Sequence, residues 1–305
     1  MMKYQIRAEN DMGIRIDKYL AGYFEDLTRN HIQKLLDEEL VTVNGKPVKA
    51  SCKISEGDMI EVTVPDAREP DILPEDLSLD IVYEDNDIVV VNKPKGMVVH
   101  PAPGHYSGTL VNGLLYHCRG SLSGINGKMR PGIVHRIDMD TTGLLVACKN
   151  DYAHNFIAEQ LKIHSSTRKY QAICYNSIKE QEGTVDAPLG RHPTDRKRMA
   201  INRKNGKNAV THYRVINNYN NYSHIECCLE TGRTHQIRVH MASINHPVLG
   251  DDLYGPKNCP YNLQGQTLHA GVLGFVHPST KKYVEFEAPL PDYFVKLLNI
   301  ISAAK

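Results

Sequence analysis

At 305 residues the chain is long enough for about two domains, and its 41% hydrophobic content with mixed charge fits a globular core that needs neither disulfides nor metal. A formal net charge of +1 argues against a protein that grips nucleic acid by bulk charge, although a local basic groove stays open. The opening MMKYQIRAEN lacks a signal-peptide core and no run is long enough to span a membrane, so the expected compartment is the cytoplasm. The seven cysteines are odd in number and include no C-x-x-C pair, which signals neither a disulfide framework nor a zinc knuckle.

In chain order, IRIDKYLAGYF places Ile14, Tyr19, Leu20 and Tyr23 at roughly helical spacing. Thr28 then reads as the N-cap of RNHIQKLLDEE, with Ile32, Leu35 and Leu36 along one side. Strands follow in LVTVNG and DMIEVTV, the first ending in an Asn44-Gly45 turn. The runs RIDKYL, TRNHIQKLL, VTVNGKPVK and ISEGDMIEV together resemble an S4 RNA-binding domain, a small αα-β unit, over residues 13–63. The resemblance implies RNA contacts at Arg15, Thr28, Arg29, Gln33, Lys34 and Lys46.

Pro65, Pro70 and Pro74 interrupt the acidic stretch PDAREPDILPED, so residues 64–77 read as a linker. Beyond it, strand-like segments dominate residues 78–305. LDIVYEDNDIVVVNKPKG reads as a hairpin entering a buried strand, and RKYQAICYN, AVTHYRVIN, SHIECCLE and KYVEFEAP read as strands. YAHNFIAEQLKIH is the clearest helix. The pattern predicts an α+β fold dominated by sheet. The basic run RKRMAINRKNGK, with Arg196, Lys197, Arg198, Arg203, Lys204 and Lys207, reads either as a solvated loop or as a phosphate-contacting one.

HRIDMDTTG, residues 135–143, follows strand-like Gly132-Ile133-Val134 and precedes LLVAC. It is therefore a loop between strands, with Gly143 permitting the return. Its carboxylates could bind metal, support the loop or react. No second acid-and-imidazole cluster has convincing ligand spacing, and His235 and His240 in THQIRVH would face opposite ways on a strand, so no metal is expected. Loop support suits Asp140 and Thr141. A reactive Asp138 needs a guanidinium to keep it ionised. Read as a strand, LETGRTHQIRVHM puts Ile237, Val239 and Arg233 on one face, and Thr234, Gln236, Arg238 and His240 on a polar one, which makes Arg238 the better partner. Tyr170 in RKYQAI could stack on a base or serve in proton transfer.

HRID-x-D-TTG, RKYQA and TGRTHQIRVHM, with VNKPKGMVVHP upstream and HPVLGDDLYG downstream, resemble the RNA pseudouridine synthases of the RluA/RluD family through most of residues 78–292. HRID for HRLD and TTG for TSG are mild departures. The resemblance implies a largely antiparallel mixed sheet with flanking helices, and an isomerisation that needs no cofactor, nucleotide or metal. In that reaction the N1–C1′ bond of uridine breaks, the uracil turns, and C5 bonds to C1′. Asp138 matches the catalytic aspartate. It has three open routes: attack at C1′, attack on the base, or removal of the C2′ proton to give a glycal. Arg238 matches its arginine partner and Tyr170 the tyrosine that stacks on uracil. Arg136 matches the residue that fills the gap left by the flipped base, with a phosphate contact as the plainer alternative. Lys93, Pro94 and Gly96 match a segment near the cleft, or simply form a strand-ending turn. The implied partner is RNA, of the 23S-type ribosomal class, bound by a monomer. Transfer RNA as substrate, and a non-catalytic ribosome-assembly role, stay open.

Overall fold

The computed structural model describes residues 1–9, 13–65, 72–102, 104–195 and 197–303. Two compact units divide the chain, Met1–Asp71 and Ile72–Lys305. Pro70 of the expected linker and Arg196 of the basic run lie outside the described residues.

The first unit runs β1 (Met2–Arg7), α1 (Ile16–Tyr23), α2 (Arg29–Asp37), β2 (Val41–Val43), β3 (Lys46–Pro47) and β4 (Met59–Val64). Thr28 opens α2 as expected: its hydroxyl accepts the His31 backbone N–H at 3.3 Å, satisfying a donor that the first turn leaves free. The spacing of Ile32, Leu35 and Leu36 buries one side of α2 against Ile16 and Leu20 of α1 and Ile60 and Val62 of β4. Each such side chain contributes about 1.5–3 kcal/mol on leaving water. β1 is an addition to the expected elements. It becomes a strand by pairing antiparallel with β4, Ile6 opposite Ile60, at the edge of the sheet β1-β4-β2-β3.

The second unit continues with β5 (Ile81–Glu84), β6 (Ile88–Lys93), α3 (Leu110–Cys118), β7 (Thr142–Cys148), α4 (Asp151–Lys162), β8 (Thr167–Tyr175), β9 (Glu182–Asp186), β10 (Leu189–Arg191), β11 (Met199–Ile201), β12 (Val210–Tyr219), β13 (Tyr222–Leu229), α5 (Gln236–Ser243), β14 (Leu268–Val276), β15 (Tyr283–Glu287) and α6 (Asp292–Ala303). The sheet runs β5-β6-β7-β14-β8-β13-β12-β9, with β15 on β14. The β7–β14 pair is parallel and the others antiparallel, so the mixed α+β architecture holds.

β7 is buried along its whole length because both faces are covered. Leu145 and Ala147 point into one apolar cluster with Val89 and Val91. Leu144, Val146 and Cys148 point into another, closed by Ala153 and Ile157 of α4. Alternation along one strand thus feeds two cores and fixes where the loop before β7 emerges. Gly143 lies at φ +108°, and a Cβ there would run into the Ala270 carbonyl of β14. Only glycine lets β7 begin so close to its parallel neighbour.

Candidate active site

The loop before β7 is held by backbone and core rather than by its carboxylates. The His135 Nε2 accepts the Val146 backbone N–H at 3.0 Å, and burial pushes this imidazole down to about 3, so it is a neutral structural ligand. Ile137 is buried in the core. Thr141 N–H donates to the Asp138 carbonyl at 3.1 Å, closing a turn. Asp138 and Asp140 both stand partly exposed on this frame.

Lys93 fixes the loop from below. It is fully buried at the end of β6, and its Nζ donates to the carbonyls of Pro94, Met97 and Met139 at 2.8, 2.9 and 2.9 Å. Burial pushes this ammonium down to about 7, while Asp140 and Asp138 pull it back. Three carbonyl acceptors are satisfied only by the form with three protons, so the site is built for the charged state. Gly96 N–H also donates to Met139, at 3.0 Å. The NKPKG segment is thus both the strand-ending turn and the support of the loop. Asp140 makes no side-chain hydrogen bond among the described residues. Burial raises its carboxyl, and Lys95 and Lys93 oppose that rise. Of the two residues expected to support the loop, Asp140 and Thr141, it is Thr141 that bonds across it: its hydroxyl accepts from Gln266 Nε2 at 3.0 Å.

The stretch THQIRVHM is a turn leading into a helix, α5 from Gln236, and not the strand its alternation suggested. Every residue from Gln236 to Met241 is buried, so no polar stripe marks the 3.6-residue period. His235 adopts the left-handed conformation at φ 56° and starts the helix. Gln236 pins this end to β12, donating to the Val210 carbonyl at 2.9 Å and the Thr211 hydroxyl at 3.1 Å. His235 and His240 are therefore not set on opposite faces of a strand. His240 is a core residue bonded to Thr211 and to the Ala187 carbonyl.

Arg238, in the first turn of α5, reaches both sides. Its Nη1 donates to Asp138 Oδ2 at 3.0 Å. Its Nε and Nη2 donate to the two oxygens of Asp251 at 2.6 and 2.9 Å. Asp251 is fully buried and also accepts the N–H groups of Leu253 and Tyr254. Burial works against the Arg238 charge, but Asp251 and then Asp138 raise its pKa well above the usual value. Tyr254 contributes twice. Its ring lies 5.2 Å from the Arg238 guanidinium carbon. Its hydroxyl accepts from the Met199 N–H at 2.7 Å, so its own proton is assigned to His235 Nδ1 at 2.8 Å. The His235 Nε2–H is then left facing Asp138 Oδ1 at 3.9 Å. Sequence reasoning missed Asp251, Tyr254 and His235. The GDDLYG run, two acids and a tyrosine between glycines, was the available signal.

Tyr170 stands on the central strand β8, opposite Cys227 of β13 and Ala270 of β14. Burial raises its phenol, so the hydroxyl is protonated at neutral pH. Tyr170, Asp138, Arg238 and Arg136 line one cleft of about 730 Å³. Arg136 is exposed there and makes no intramolecular hydrogen bond among the described residues. His100 also lines it, pushed down to about 4 by burial, with its Nδ1 unpartnered.

In the first unit, Arg15, Arg29 and Gln33 converge on one buried carboxylate, Asp17. Burial alone would push Asp17 up, yet the donors from Arg29, Arg15 and Gln33 hold it at about 2. The Arg15 and Arg29 side chains remain 43% and 45% exposed, so Asp17 presents two oriented guanidinium groups to solvent. Thr28 caps α2, Lys34 lies 3.6 Å from Glu38, and Lys46 is exposed beyond the Asn44-Gly45 turn. The basic run of the second unit is not a single loop. Met199–Ile201 forms β11, paired with β10, and Arg198 stacks over Tyr254 at 5.3 Å.

The profile of the RNA pseudouridylate synthase family matches residues 87–243, just over half of the chain and the part that carries the loop, β8 and α5. The chain belongs to the RNA pseudouridine synthase family. The S4 domain profile matches residues 14–60 of the same synthase. Whole-chain relatives agree. An uncharacterized RNA pseudouridine synthase, YlyB of Bacillus subtilis (strain 168), is 54% identical over 96% of this chain and 95% of its own. Ribosomal large subunit pseudouridine synthase D of Zymomonas mobilis is 48% identical over 96% and 95%. Among solved structures, human RNA Pseudouridylate Synthase Domain Containing 1 is 26% identical with a TM-score of 0.58, covering 74% of this synthase and 95% of that chain. As a synthase of this family the protein is an isomerase that acts on RNA. No helix among its described residues is long and apolar enough to cross a membrane.

Proposed function

We propose that this synthase converts specific uridines of large-subunit ribosomal RNA to pseudouridine, with Asp138 as the catalytic carboxylate and without a cofactor. The supporting observation is the line Asp251–Arg238–Asp138 at the cleft. Arg238 is anchored by one carboxylate and offers its remaining edge to a second, partly exposed one. A carboxylate so held is aimed, with a fixed cation beside it, which is what each of its open routes requires. Tyr170 supplies a flat face for the uracil, and Arg136 the planar cation that fills the space left in the RNA stack. The N1–C1′ bond breaks, the uracil turns, C5 bonds to C1′, N1 gains a proton, and the C5 hydrogen leaves to solvent.

Residues 13–63 are the RNA-binding core of the first unit and residues 78–305 the catalytic part, with 64–77 joining them. Arg15, Thr28, Arg29, Gln33, Lys34 and Lys46 form the first unit's RNA face, for which the Asp17 cluster gives a physical basis. The ribosomal substrate is supported by relatives that carry that name at 44–48% identity. The protein acts as a cytoplasmic monomer. The test is tritium release from RNA labelled at uridine C5, comparing wild type with Asp138→Ala on ribosomal and transfer RNA separately. Release from ribosomal RNA by wild type alone is expected. Release only from transfer RNA moves the substrate, and release by the variant removes Asp138 from its role.

A further inference from the structure

Arg168 is the second buried guanidinium of the cleft, and the isomerisation leaves it without a role. It lies on β8 two residues before Tyr170, on the same side of the strand, and both line the cleft with Asp138. Arg168 is only 8% exposed. Its one side-chain hydrogen bond among the described residues runs from Nη2 to the Glu230 carbonyl at 2.9 Å, and its Nε is buried without a partner. Among the described residues no carboxylate lies within ion-pair distance of it, whereas Arg238 holds two.

An unpaired buried cation is costly unless something outside the chain neutralises it. The surroundings point the same way. Among the described residues lining this cleft, Asp138 is the sole carboxylate, and Arg238 already serves it. Arg130, Lys162 and Arg233 line the same cleft and add positive charge. Gly232 leaves the room Arg168 needs: a Cβ at 232 would stand 2.6 Å from Arg168 Nη1. The site is therefore shaped around a guanidinium that has no anion of its own among the described residues.

We propose that Arg168 seats a backbone phosphate of the RNA strand, on a linkage flanking the uridine held against Tyr170. The planar fork suits a phosphate, which accepts two parallel N–H donors at once. Fixing one phosphate beside the stacking ring sets the register of the strand, so that C1′ of one nucleotide only comes to Asp138. This inference rests on the RNA-isomerase reading of the same cleft.

The experiment uses the shortest RNA that wild type turns over, remade with single methylphosphonate linkages placed one at a time around the target uridine. Removing the charge from one flanking linkage is expected to lower wild-type kcat/KM about 10- to 100-fold. Arg168→Ala should show a similar loss on the unmodified RNA and no further loss on that methylphosphonate RNA. Arg168→Lys should recover part of the activity. Tolerance of every methylphosphonate by wild type overturns the proposal without recourse to any variant. So does a variant loss that multiplies with the linkage loss. Absence of turnover on unmodified RNA is a different result, since it removes the isomerase reading and this inference with it.

Discussion

Arg238 gives Asp251 two parallel hydrogen bonds, Nε to Oδ2 at 2.6 Å and Nη2 to Oδ1 at 2.9 Å. Asp251 also takes the Leu253 and Tyr254 N–H groups, so every contact around this carboxylate is a donor. An amide cannot accept from all four. Asp251→Asn should therefore let Arg238 shift, lowering kcat by about 10²-fold while KM for RNA changes little. Steady-state kinetics separate the two, and an unchanged kcat in a folded variant would show that Asp138 alone positions Arg238.

Asp138 and Asp140 differ in their surroundings more than in their place in the loop. Asp138 receives a guanidinium hydrogen bond, whereas Asp140 receives none among the described residues and is raised by burial. Asp138→Asn should abolish C5 tritium release without loss of fold. Asp140→Asn should keep most of it. The reverse order would transfer the catalytic role to Asp140.

Arg136 is exposed and unpaired among the described residues, so Arg136→Ala should leave the melting temperature unchanged. Its effect should depend on the RNA. Unstacking a base costs a few kcal/mol in structured RNA and little in a flexible strand, so the loss should be about 10- to 100-fold greater on the structured substrate. Equal losses on both would make Arg136 a simple phosphate contact.

Asp17 makes the first unit acid-sensitive. Its carboxyl falls from 3.8 to about 2 on folding, so it contributes stability above pH 4 that is lost as the pH drops towards 2. Asp17→Asn should cost about 2 kcal/mol at neutral pH, where the charged acceptor is replaced. The gap between variant and wild type should close on acidification through that window. Denaturant titrations across pH 2–7 measure it, and a gap independent of pH would mean that Asp17 acts through packing alone.

Local rules were enough for much of the molecule. The Thr28 cap, the buried side of α2 and the helix YAHNFIAEQLKIH depend on neighbours within a few residues, and such neighbours are visible in the chain itself. The family followed from motifs in order, and the placing of HRIDMDTTG before a buried strand followed from the apolar run after it. α5 was hidden because its alternating Ile237 and Val239 imitate a strand while burial on all sides erases the helical stripe. Arg238 still reaches Asp138, through a helix turn rather than a strand face. The roles of Asp251, of the Tyr254–His235 relay, of the three carbonyls on Lys93 and of Arg168, which has no ion-pair partner among the described residues, emerged only in three dimensions. Each is a partnership, or a missing partnership, between distant segments whose cost or benefit arises from burial, and burial is a property of the assembled fold.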